Sequence, residues 1–239
     1  MSGHSKWSQI KRQKAVTDLK KGQVFSQYAK KITLAAKEGG GDAEMNFKLR
    51  MVIEKAKAAG MPNDNIERAI KRGTGEDKSG AALVKAIYEG LGPHGSNFIV
   101  ETATDNTNRT LGDIRHIFTK FNGRLADSGS VSWMYQQRGL ILATATPDKI
   151  DSVILAAIDS GAEDVINREE GMEIYTKPQD LKKVKDAVET AGAKIITAEQ
   201  AYVAKQTIDP TPSEREQVTR LSEALEFNDD VVAVHDNLS

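Results

Sequence analysis

Lysine and arginine are the side chains of this sequence best placed to do chemistry, and they crowd its start. Lys6, Lys11, Arg12, Lys14, Lys20, Lys21, Lys30 and Lys31 stand among the first thirty-one residues against the single acid Asp18. Cations at that density can neutralise phosphates, each contact releasing condensed counterions. Lysine is a point charge suited to backbone oxygens and carries little information about base identity. The alternative use of such a stretch is a solvated helix face. Through residue 78 the count is 17 basic against 9 acidic side chains; from 79 to 239 it is 16 against 25. A net charge of −1 therefore conceals a cationic end and an acidic body. That distribution is expected of a protein that grips a polyanion at one end.

Three further groups could join the same task. Arg68, Lys71 and Arg72 share one face of a short helix, away from Ile66 and Ile70. They offer a second phosphate contact, or are simply cations well placed near a helix C-terminus. Trp7, with His4 and Lys6 beside it, could stack on an unpaired base or wedge a base step, or it could pin a terminal helix. The run Thr104-Asp105-Asn106-Thr107-Asn108-Arg109-Thr110 is rich in helix caps. Asn106, Asn108 and Arg109 could also hold a phosphate or an RNA 2′-hydroxyl as a secondary contact.

Nothing comparable points to catalysis. The four histidines, at 4, 94, 116 and 235, show no metal-ligand spacing. Cysteine is absent, which excludes disulfides, thiol catalysis and Cys-ligated metal. There is no Gly-x-Ser-x-Gly elbow, P-loop or dinucleotide fingerprint, and Gly39-Gly40-Gly41 ends a helix instead of opening one. The expectation is a non-enzymatic protein with no catalytic residue, metal, cofactor or small-molecule substrate. No apolar run approaches the roughly 18 residues of a membrane helix, and the start lacks an apolar signal core. A cytoplasmic protein without a membrane partner is expected.

The elements that must position these residues can be read from periodicity. Helices are predicted over 23–38, over 46–59, and after Pro62, where Asp64 and Glu67 have capping-box spacing and Gly73 ends the helix. From about 80 the pattern changes to strands over 84–90 and 97–103, a helix over 108–121, and a strand over 131–135. Residues 138–205 then read strand, helix, strand, strand, helix, strand, the ferredoxin-like order. Their third strand offers only Tyr175 for stacking, and their charge is 9 basic against 12 acidic. An RNA-recognition role for this part is therefore not expected. A last helix, 213–226, and strand, 231–234, are too little for a domain and are expected to complete the one begun at 80. The organisation is α+β and multidomain. It comprises a basic helical nucleic-acid-binding domain, 1–78, a discontinuous α+β domain, 79–137 with 207–239, and a ferredoxin-like domain, 138–206, inserted into it.

Five motifs in fixed order give this sequence a likeness to a known family. They are Gly3-His4-Ser5-Lys6-Trp7, Met61 to Gly73, Thr104 to Thr110, Arg115-His116-Ile117-Phe118 and Gly129-Ser130-Val131-Ser132-Trp133. The chain closely resembles the YebC/PmpR family over essentially its whole length. The resemblance implies a helical first domain and two α+β domains, the last inserted into the second. It also implies a DNA-binding regulator of transcription or, as in the mitochondrial and ribosome-associated branches, a translation factor that binds RNA. The partner implied is nucleic acid: DNA, or alternatively ribosomal RNA and the ribosome. The family offers no established catalytic residues to carry over.

Overall fold

The computed structural model describes Trp7, residues 18–79 and residues 81–239, the side chains of 18–20 excepted. Its first helix, α1 (Asp18–Gly39), is rich in Ala, Leu and Lys, has no proline, and stops where Gly40 turns left-handed at φ +86°. Phe25, Tyr28, Ile32, Ala35 and Ala36 form one face of α1 and pack on Leu49 and Ala56 of α2 (Phe47–Ala58) and Ile66 and Ala69 of α3 (Asn63–Thr74). Asn46 ties the turn together: its side chain caps α2 at Leu49 N and donates to the carbonyls of Ala35 and Gly40.

Two details of α3 differ from the sequence expectation. Its N-cap is Pro62, with no side-chain capping bond, so Asp64 and Glu67 do not form a capping box. The helix also runs through Gly73 and ends at Gly75, φ +80°. Gly73 serves close approach: a Cβ there would lie 2.5 Å from the Thr33 carbonyl oxygen and 2.7 Å from Ala36 Cβ on α1.

The first sheet has the order β3–β1–β2–β8, from β1 (Val84–Leu91), β2 (Asn97–Thr104), β3 (Arg124–Ala126) and β8 (Val231–Asp236). The strand β8 pairs antiparallel with β2 in the register Phe98↔Asp236, Val100↔Val234. The helices α4 (Thr107–Lys120) and α7 (Pro212–Glu226) cover one face. Phe98, Val100, Ile114, Phe118, Val218, Leu221, Leu225, Val231 and Val234 form its core, with Phe98 edge-on to Phe118 at 5.8 Å. A small apolar joint of Leu34, Leu83, Ala103 and Val232 ties α1 to the sheet's other face. Residues 131–135, expected as a strand, instead make a tight 3₁₀ turn at Ser132–Met134 leading into a strand that begins at Tyr135.

The second sheet runs β5–β6–β4–β7, from β4 (Tyr135–Thr144), β5 (Asp164–Arg168), β6 (Gly171–Thr176) and β7 (Lys194–Ala204). Its central pair is antiparallel, with Leu140↔Tyr175 and Ile141↔Ile174. The helices α5 (Ile150–Ser160) and α6 (Leu181–Thr190) bury Val153, Ala157, Val184 and Val188. This order of strands is the ferredoxin-like one. The fold class is thus α+β: a helical region, then two α+β regions, the ferredoxin-like one inserted into the other. The chain forms two compact units, one running up to Tyr135 and resuming at Ala204–Ser239, the other Gln136–Val203.

Candidate nucleic-acid interface

Helix α1 has a second face, and it is polar. Gln23, Gln27, Lys30, Leu34 and Lys37 recur at the spacing of one helical stripe. Gln23 Nε2 donates to the Phe227 carbonyl, and Gln27 Nε2 to that of Glu226 at 2.7 Å. These carbonyls lie at the C-terminus of α7, where the backbone has no intrahelical donor left. Lys30 Nζ donates to the Asp229 carbonyl at 2.8 Å and meets Asp230 Oδ1 at 2.5 Å. Lys37 reaches the Leu83 carbonyl at 3.2 Å.

Asp230 is the hub of this seam. Arg109 Nη2 lies 2.8 Å from its Oδ2, and the hydroxyls of Thr110 and Thr104 lie 2.7 and 3.1 Å from the same oxygen. Burial opposes the charge on Asp230. Hydrogen bonds from Arg109, Lys30 and Thr110 outweigh that and hold its carboxyl well below the usual carboxylate range. Arg109 also bonds Asp105 at 2.9 Å. Asn106 caps α4, accepting from Arg109 N at 3.1 Å, and Asn108 is exposed. Of the candidates expected to meet a phosphate, Lys30 and Arg109 therefore already hold an internal anion.

The other candidates fall elsewhere. Arg68 and Lys71 are exposed on α3 and form no ion pair among the described residues. Arg72 donates to the Ala81 carbonyl at 2.8 Å. The nearby Asp77 is kept more acidic than usual, chiefly by hydrogen bonds from Ser79 and then by the charges of Arg72 and Arg68. Lys21 is exposed, and half-buried Lys31 lies 5.8 Å from the centre of the Tyr28 ring. Trp7 is buried. His4, Lys6, Lys11, Arg12 and Lys14 lie outside the described residues, as does the side chain of Lys20.

Gln23, Gln27 and Asp230 were not legible as functional positions, because their partners stand 120 to 204 residues away along the chain. The only signal was the pair Asp229-Asp230 ahead of the last strand. Among the described residues, no cluster of three or more His, Cys, Asp or Glu could hold a metal ion, and no helix is long and apolar enough to cross a membrane.

Comparisons with known proteins cover the whole of this arrangement. A family model described as the TACO1/YebC protein N-terminal domain matches residues 5–76, and one described as the TACO1/YebC second and third domain matches 83–238. A protein of Thermoanaerobacter pseudethanolicus named a probable transcriptional regulatory protein is 49% identical, over 100% of this chain and 97% of its own. One of the same name from Pelotomaculum thermopropionicum is 47% identical, over 99% and 98%. The crystal structure of a conserved hypothetical protein from Aquifex aeolicus is similar at a TM-score of 0.84 and 39% identity, over 94% of this chain and 93% of that one.

Proposed function

The chain belongs to the TACO1/YebC family, and from that membership we propose that it is a non-enzymatic, DNA-binding regulator of transcription that works in the cytoplasm. The observation that carries this reading is the segregation of charge. Residues 1–78 hold a surplus of eight positive charges, and the rest of the chain an excess of nine negative ones. Arg68 and Lys71 stand outward on that basic region, and the sequence ahead of α1 adds Lys6, Lys11, Arg12 and Lys14 to its charge. Such cations meet phosphate oxygens, which are alike along any duplex. The basic helical domain, 1–78, is the binding module. The discontinuous α+β domain, 79–137 with 207–239, is the body that anchors it through Asp230, and the acidic inserted domain, 138–206, stays off the polyanion. The names of the relatives support regulation of transcription over translation.

Crosslinking in cells, followed by sequencing of the bound nucleic acid, tests the proposal. Enrichment of promoter DNA is the expected result. Recovery of mainly ribosomal RNA would replace it with the translation-factor reading, and recovery of neither would end both.

A further inference from the structure

The stretch Gly129-Ser130-Val131-Ser132-Trp133 has no part in the contacts above, yet it is a turn held by hydrogen bonds from two sides. Glu89, on β1, is 5% exposed and sits beneath it. One carboxylate oxygen accepts from Gly129 N at 2.8 Å, and the other from Val131 N at 2.5 Å and Ser132 N at 2.8 Å. Three backbone N–H groups converging on a carboxylate form an anion nest, here filled from within. Burial alone would make Glu89 less acidic, but these donors make it more acidic than usual, so it stays charged. Val131 is fully buried below the turn, and Met134 N closes it on the Val131 carbonyl at 2.9 Å. From the other side Lys205 clamps it, its backbone N–H to the Met134 carbonyl at 2.8 Å and its Nζ to the Trp133 carbonyl at 2.7 Å.

All this order presents one indole to water. Trp133 is 65% exposed. Its only polar group is already used, since Nε1 donates to the Ser130 carbonyl at 3.0 Å. What remains to offer is the faces of the ring. Its neighbours in the turn, Asp127, Ser128, Gly129 and Ser130, are exposed, and all but the glycine are polar. No other large apolar side chain of residues 127–134 is exposed. A protein-docking patch would need contiguous apolar surface. A lone, rigid aromatic ring with an ammonium at its base matches instead a base that stacks while the adjoining phosphate meets the cation.

We propose that Trp133 is a stacking platform for an unpaired nucleobase, with Lys205 beside it for the adjoining phosphate and Glu89 as the positioning residue that fixes the turn. This deepens the nucleic-acid reading and rests on it. It adds a second contact, in the acidic part of the chain, specific for single-stranded or opened nucleic acid. Because the turn is ordered in advance, little conformational entropy is lost when a base arrives.

The test measures affinity of the full chain by fluorescence anisotropy for labelled oligothymidylate, oligouridylate and a labelled DNA duplex. Trp133→Ala should weaken binding to single strands about 5- to 150-fold, the range for losing one base–aromatic stack. Trp133→Phe should restore most of it, and duplex affinity should not change. The two oligonucleotides distinguish a DNA source of the base from an RNA one. If Trp133→Ala binds single strands as the parent does, or if Phe fails to rescue, the platform is refuted while duplex binding leaves the broader reading intact. Equal loss on duplex and single strand would also refute it. A parent chain that binds none of the three would overturn the nucleic-acid reading itself.

Discussion

On α1, Lys30 and Lys37 reach oxygens of the sheet region, and Lys30 holds a buried carboxylate at 2.5 Å. On α3, Arg68 and Lys71 are exposed and form no ion pair among the described residues. Both helices belong to the same basic region, so the sign of a charge does not reveal its use. The deciding feature is what lies opposite each helix face. The stripe of α1 faces the last carbonyls of α7, which have no intrahelical donor, and the acids after it. The outer face of α3 is exposed at Arg68 and Lys71, without such a pairing among the described residues.

The strongest way to break this contrast is to remove what α1 docks against. Deleting residues 207–239 takes away Val218, Leu221, Leu225, Val231 and Val234, all buried. Such losses cost about 2–5 kcal/mol each, against a domain stability of about 5–15 kcal/mol. Hydrogen exchange should show protection lost across β1, β2, α4 and α1, and kept across 136–203. Persisting protection over 97–120 would mean the first sheet does not depend on its returning strand.

A milder cut goes through the hub. Asp230→Ala leaves Lys30, Arg109, Thr104 and Thr110 without their shared acceptor, and should cost about 2–3 kcal/mol in urea denaturation. The pH dependence should carry the same signature. Asp230 has its folded pKa pushed below the ordinary 3.8. Its contribution is therefore present above that value and is lost as pH falls toward the lower folded one. The variant should show a shallower acid limb, and an identical limb would remove Asp230 from the seam's energetics. Arg68→Ala with Lys71→Ala should change stability by less than about 0.5 kcal/mol.

The smallest effect sharpens the contrast instead of breaking it. In salt titrations of DNA binding, each lost phosphate contact flattens the slope of log affinity against log salt by about 0.7 to 0.9 units. Arg68→Ala with Lys71→Ala should show that flattening, and Lys11, Arg12 and Lys14 to Ala should show up to about two to three units. Lys30→Ala should leave the slope as it was. A flatter slope for Lys30→Ala would place that ammonium on phosphate, contrary to its contact with Asp230.

Local signals were the readable part of this sequence. Strand alternation and turn residues located the βαββαβ series and the last helix and strand to within a few residues. The turn at 131–135 was misread because Val131, Trp133 and Tyr135 alternate as a strand would, while the carboxylate that bends the backbone lies on β1 at Glu89. The capping box at Asp64 and Glu67 had the right spacing, but Pro62 is the N-cap and the helix starts at Asn63, so Asp64 already lies inside it. Lys30 and Arg109 were recognised as charged positions of interest. Their common acceptor was invisible, since pairing across 121 and 200 residues leaves no local periodicity.

The pairing of β2 with β8 has a consequence for the order of synthesis. While the chain is being made, β2 emerges early, with Phe98 and Val100 on the face that α7 will cover. Its outer partner is not made until Val231 has been added. At about 5–20 residues per second the gap is on the order of ten seconds. The ferredoxin-like unit is completed within that time, at Val203, while the first sheet waits with an open edge and an uncovered apolar face. A nascent chain in that state is a natural client for a chaperone, and a message cut short before its last few dozen codons would yield a protein that cannot close.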